Sequence, residues 1–93
     1  MSEFALSTHA RKRMQQRAIP PFVLDMLFDC GSVSRCGGAD RLTFDRAAIR
    51  RLQREIGGQQ ELKQFERWLS VYAIVGDNGE VVTAAHRTRR FRR

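Results

Sequence analysis

Apolar positions change their period several times along the chain, and each change marks an element. Ser7 or Thr8 can accept a backbone N–H and open a first helix whose apolar stripe is Ala10 and Met14. Ile19 stands before a proline and Pro20-Pro21 removes two donors, so that helix is expected to end near Arg17 or Ala18. Pro21 suits the first turn of a second helix, PFVLDMLFDC, with Gly31 placed to stop it. Phe22, Val23, Met26, Leu27 and Cys30 recur there at helical spacing, and Leu24 and Phe28 widen the stripe, so this helix reads as core.

Gly37-Gly38 predicts a turn between two short extended pieces, near residues 32 to 36 and 41 to 44. Asp45 can cap a third helix, RAAIRRLQREIGG, with Ile49, Leu52 and Ile56 on one face and Arg46, Arg50 and Arg54 on another. Gly57-Gly58 closes it, and a weaker helical pattern runs on through Leu62 and Phe65.

The end of the chain carries the clearest signal. WLSVYAIV and EVVTAAHR flank GDNG, and Asn78-Gly79 favours a two-residue type I′ hairpin loop. In that register Asp77 faces Glu80, Val75 faces Val82, Ala73 faces Ala84 and Val71 faces His86. Tyr72, Ile74, Thr83 and Ala85 then lie on the opposite sheet face from His86. Both faces are largely apolar, which places the hairpin in the middle of a sheet covered by helices. The expected fold is α+β: two N-terminal helices, a small antiparallel sheet with a C-terminal hairpin, and one further helix. At 93 residues this is one domain, residues 1–88, followed by a basic flexible tail, residues 89–93.

Charge changes the picture. Seventeen Lys plus Arg against ten Asp plus Glu give a net +7, and fifteen of those cations are arginines, whose planar fork bonds phosphate in pairs. HRTRRFRR, the last eight residues, holds five of them and no acid, so the basic signal is local: Arg87, Arg89, Arg90, Arg92 and Arg93. The N-terminus has no basic stretch leading into an apolar one, and no apolar run approaches the roughly 18 residues of a bilayer span, so a soluble cytoplasmic chain with no membrane partner is expected. Cys30 and Cys36 are too few for a disulfide framework. With His9 and His86 they lack ligand spacing, so neither a metal nor a cofactor is expected.

His9, Arg13 and Arg17 recur every fourth residue on the first helix, and His86-Arg87 ends the last strand. Metal-independent RNA cleavage needs a base for the 2′-OH, an acid for the leaving oxygen and cations for the phosphorane. The chain's two histidines could be that pair, with Arg13 and Arg87 on the phosphate and Arg17 as a further contact, although a solvated helix face would show the same spacing. Tyr72 is an alternative phenol, better read as a cross-strand aromatic.

STHARKRMQQRAI, followed about fifty residues later by VYAIVGDNGEVVTAAHR, resembles a bacterial domain-of-unknown-function family. That family has a His-Ala-x-x-Arg-Met-x-x-Arg-x-Ile helix and a hairpin ending near T..HR. It is usually grouped with the RelE and BrnT toxins of the barnase, EndoU, colicin and RelE superfold. The resemblance implies a toxin-like RNA-binding protein, with RNA or the ribosome and an antitoxin protein as partners. It also implies a metal-independent endoribonuclease with His9, Arg13 and His86 as catalytic residues. The alternative is a non-catalytic nucleic-acid- or protein-binding module using the same arginines, because fold analogy alone does not settle activity.

Overall fold

The computed structural model describes residues 5–87, which form an α+β fold of four α-helices and a four-stranded antiparallel sheet. Arg89, Arg90, Arg92 and Arg93 of the expected tail lie outside the described residues.

Helix α1 spans Thr8–Gln16, and Ser7 is its cap: the Ser7 hydroxyl oxygen accepts from Ala10 N–H at 3.0 Å. Its C-terminus closes tightly. Ile19 N–H donates to Met14 C=O (2.9 Å) and Ala18 N–H to Gln15 C=O (3.3 Å), with Ala18 at φ +53. This is the closure normally made with glycine, and here a buried Ile19 seated beside a buried Met14 holds an alanine in the left-handed region. Pro20 and Pro21 then start helix α2, Pro21–Cys30. Its core stripe is Val23, Leu24, Leu27 and Cys30, whereas Phe22 and Phe28, expected in the stripe, are exposed. Gly31 follows in an extended conformation; a side chain there would meet Leu27 C=O at 2.5 Å, so glycine is needed for space.

Strands β1, Ser32–Cys36, and β2, Ala39–Thr43, pair across Gly37 and Gly38, both at positive φ as a two-residue type I′ turn requires. Helix α3, Arg46–Ile56, is capped by Asp45, whose carboxylate accepts from Ala48 N–H at 2.9 Å, and ends at Gly57 with φ +109. Ala48 and Leu52 are its buried residues, with Ile49 and Ile56 packed against the core more loosely. The weak pattern after Gly58 is a real helix, α4, Gln59–Phe65, continued by a 3-10 turn, Glu66–Trp68.

Strands β3, Val71–Gly76, and β4, Val81–His86, complete the sheet in the order β1-β2-β3-β4. Val71↔His86, Tyr72↔Ala85, Ala73↔Ala84 and Ile74↔Thr83 pair in the expected register, but Val75 pairs with Val81 instead of Val82. The cause is the loop. Gly79 N–H donates to Gly76 C=O (2.9 Å) and Gly76 N–H to Glu80 C=O (2.8 Å), with Gly79 at φ +85. The loop thus has three residues, Asp77 to Gly79, in place of the two expected. A bulge between Ile74 and Val75 pairing absorbs the extra residue and leaves Val82 exposed.

Position in the sheet is a second correction. Of the two strands of this hairpin, β3 is interior and β4 is an edge strand whose outer side is met by Leu6 in a parallel bridge to Val81. Leu42, Val71, Ala73, Val75, Val81 and Ala84 form one core cluster with the buried residues of all four helices. Tyr72, Ile74 and Thr83, on the other face, are half-buried. Helices therefore cover one face of the sheet, not two.

Candidate functional site

Helix α1 and strand β4 make one layer. Ser7 N–H donates to Val81 C=O (2.9 Å) and Val81 N–H to Ala5 C=O (2.8 Å), which fixes the start of α1 at the start of β4. Helix and strand then run in the same direction in contact along their length. Arg17 at the far end of α1 arrives close enough to His86 at the far end of β4 for its charge to act on the imidazole. The helix side of this layer thus carries His9, Arg13 and Arg17 and the strand side His86 and Arg87, in two separate places.

At the far end, His86 Nδ1 lies 2.7 Å from the Ser70 hydroxyl oxygen, a hydrogen bond whose direction depends on the ring tautomer. The imidazole stacks on Trp68, with ring centroids 6.0 Å apart at 28°. Arg67 sits over the Trp68 ring at 5.3 Å, and Arg87 N–H donates to Ser70 C=O at 2.8 Å. Burial first, then the positive charge of Arg17, pushes the His86 pKa below its ordinary value of 6.5. The ring is therefore neutral at pH 7, held by Ser70 and Trp68, with arginine near it. Such a group can take a proton or donate a neutral hydrogen bond to an anion gripped by the arginines.

At the near end, His9 is exposed on the first turn of α1 and makes no hydrogen bond or ion pair with a described residue. About 12 Å of helix axis separates it from Arg17, at 1.5 Å per residue. Arg13, half-buried, lies between them. The structure brings Arg17 to His86 and leaves His9 apart, so one phosphate cannot sit between the two imidazoles as an acid-base pair requires. Tyr72 pairs with Ala85 and projects from the opposite sheet face to His86.

Charge on this layer is one-sided. Helix α1 carries Arg11, Lys12 and Arg13, its C-cap is Arg17, and the segment has no carboxylate. Among the described residues the ion pairs are those of Arg35 with Asp40 (3.0 Å) and Asp77 (2.8 Å), across the two hairpin ends. The cations of α1 have no acid partner there. Cys30 is buried and Cys36 exposed, and no three His, Cys, Asp or Glu among the described residues gather as metal ligands.

Ser70 and Trp68 are the site residues that the sequence did not yield. Extending the Val71↔His86 pairing by one position sets Ser70 opposite Arg87, beside the histidine, so the hairpin register held the signal for Ser70. Trp68 stacks there only because α4 ends in a 3-10 turn, which spacing does not reveal.

No family model, no curated protein and no solved structure matches this chain.

Proposed function

We propose that this chain is a toxin-like RNA-binding protein with a RelE/BrnT-type fold, holding single-stranded RNA along α1 and over the His86 end of β4. The observation that carries this reading is a helix that, with its C-cap Arg17, bears four cations, three of them arginines, and no carboxylate partner among the described residues. An ordinary solvated face intersperses both signs. Arg13 and Arg17 bind backbone phosphate, and the neutral His86 beside Trp68 marks where a nucleotide is held. The ribosome and a covering antitoxin are the partners that the resemblance suggests for such a surface.

Cleavage is a second reading, favoured by one observation: a neutral imidazole held by Ser70 next to an arginine. In that reading His86 takes the 2′-OH proton as the 2′-oxygen bonds to phosphorus and returns it to the 5′-oxygen as the P–O5′ bond breaks, and His9 has no role. Both readings meet in one experiment. RNA affinity is measured across a salt series, with cleavage followed in excess chelator, for the wild type, Arg13→Gln/Arg17→Gln, His86→Ala and His9→Ala. Each lost phosphate contact flattens the log-log salt slope by about 0.7 on a single strand, so the double variant should flatten it by about 1.4. An unchanged slope rejects RNA binding by α1. Cleavage lost in His86→Ala and retained in His9→Ala would establish the enzyme reading; binding without cleavage leaves the module.

A further inference from the structure

The third helix divides its arginines. Arg51 turns inward: its Nε–H donates to Cys30 C=O at 2.9 Å, and its Nη2–H to the Ser32 hydroxyl oxygen at 3.0 Å. That hydroxyl donates in turn to the Asp45 carboxylate at 2.6 Å, so Arg51 ties the end of α2 to the cap of α3. Glu55, the one acid of α3, acts with Arg51 on Cys30 and so lies on this same side. Arg46, Arg50 and Arg54 are all exposed and make no hydrogen bond or ion pair with a described residue.

This arrangement opposes the helix that carries it. Like charges four apart repel on a helix surface, and the stripe contains two such pairs. Arg46 occupies the first turn, where the helix dipole disfavours a cation, and the acid at that end, Asp45, is engaged by Ala48 N–H and the Ser32 hydroxyl in the cap. Rules of local stability are broken in this way where a surface serves binding. The geometry of the stripe is regular: each step of four residues advances about 6 Å along one line. Equal steps of guanidinium groups suit a polymer of equally spaced anions better than the irregular acids of a protein surface. The helix lies against α2 and α4.

We infer that the outer face of α3, Arg46, Arg50 and Arg54, is a second phosphate-binding track that holds the RNA backbone beyond the part bound on α1. This rests on the RNA-binding reading of α1, and the test separates the two. Salt slopes are measured for a short oligouridylate that spans one helix and for a long one able to reach both. The proteins are the wild type, Arg46→Gln/Arg50→Gln/Arg54→Gln, the corresponding triple lysine variant, and Arg13→Gln/Arg17→Gln. Three lost contacts should flatten the long-RNA slope by about 2 while the short-RNA slope keeps its value. The lysine variant should restore the slope, and the unfolding temperature of the glutamine variant should stay level or rise as repulsion is relieved.

An unchanged long-RNA slope, with the α1 variant still flattened, overturns the track and leaves α1 standing. Binding of neither RNA by the wild type overturns both. If polyglutamate binds the wild type but not the triple glutamine variant while the long-RNA slope is the same for both proteins, the face is a site for acidic protein and the RNA track is rejected. A flattened slope that comes with a lower unfolding temperature and is not restored by lysine rejects it as well.

Discussion

The chain has two histidines in two settings, at opposite ends of one helix-strand layer. His9 stands in water on a helix surface, while His86 is half-buried between Ser70 and Trp68 under the field of Arg17. Their residue type is the same and their chemistry is not. An exposed imidazole without side-chain partners is free to turn. A held and depressed imidazole stays neutral and keeps one orientation, which is what recognition or proton transfer at a fixed atom needs. What separates the two is the backbone pairing of Ser70 with Arg87, which no property of histidine itself encodes.

Replacement of each histidine by alanine measures that difference most directly. His86→Ala loses a part-buried hydrogen bond and a stacking contact, so it should lower stability by about 1–2 kcal/mol in urea unfolding. A loss below that of an ordinary surface change would show that the Ser70 and Trp68 contacts do not hold the ring.

The next effect is a dependence on pH. A histidine whose folded pKa lies below its unfolded value binds its proton in the unfolded chain first. Stability is then whole above about pH 6.5 and falls as pH drops through that value. Thermal unfolding at pH 7.5 and 5.5 should show a decline in the wild type that His86→Ala lacks. Asp45, held below its ordinary 3.8 by Ser32 and by Ala48 N–H, contributes only at lower pH and does not disturb the window. A decline of equal size in His86→Ala would assign it elsewhere.

The smallest effect belongs to the other ring. His9→Ala should change stability by less than about 0.5 kcal/mol, as an unpartnered surface change does. A larger loss, or removal of the pH-dependent part by His9→Ala, would reverse the contrast between the two.

Local signals were legible wherever one residue type decides the conformation. Asp45 as a cap, Gly57 as a stop, Pro20-Pro21 as a corner and Gly37-Gly38 as a turn all stood in the sequence. The loop at Asp77 to Gly79 did not. Asn78 keeps a negative φ, and its side-chain oxygen accepts from Glu80 N–H at 3.0 Å, which favours the three-residue loop. The expected pairing of Val71 with His86 survives because the bulge cancels the slip within two residues. Ala18 at positive φ was illegible for another reason: burial of Ile19 overrides the preference of alanine. For the site, the stripe of His9, Arg13 and Arg17 was visible, but the direction of α1 along β4 was not. That direction comes from the bridge between Leu6 and Val81, a contact across 75 residues.

This bridge also orders events during synthesis. The stripe of α1, Ala10 and Met14, leaves a ribosome before any strand of the sheet, yet its resting place is beside β4, the strand of the four that is made last. Until residue 81 has emerged, that stripe has no partner in the sheet, and the core remains open on the β4 side. Loop closure over so long a separation is slow compared with helix formation. A shortened chain that lacks β4 would therefore carry a formed but homeless α1, and a quality-control protease would meet its apolar side first.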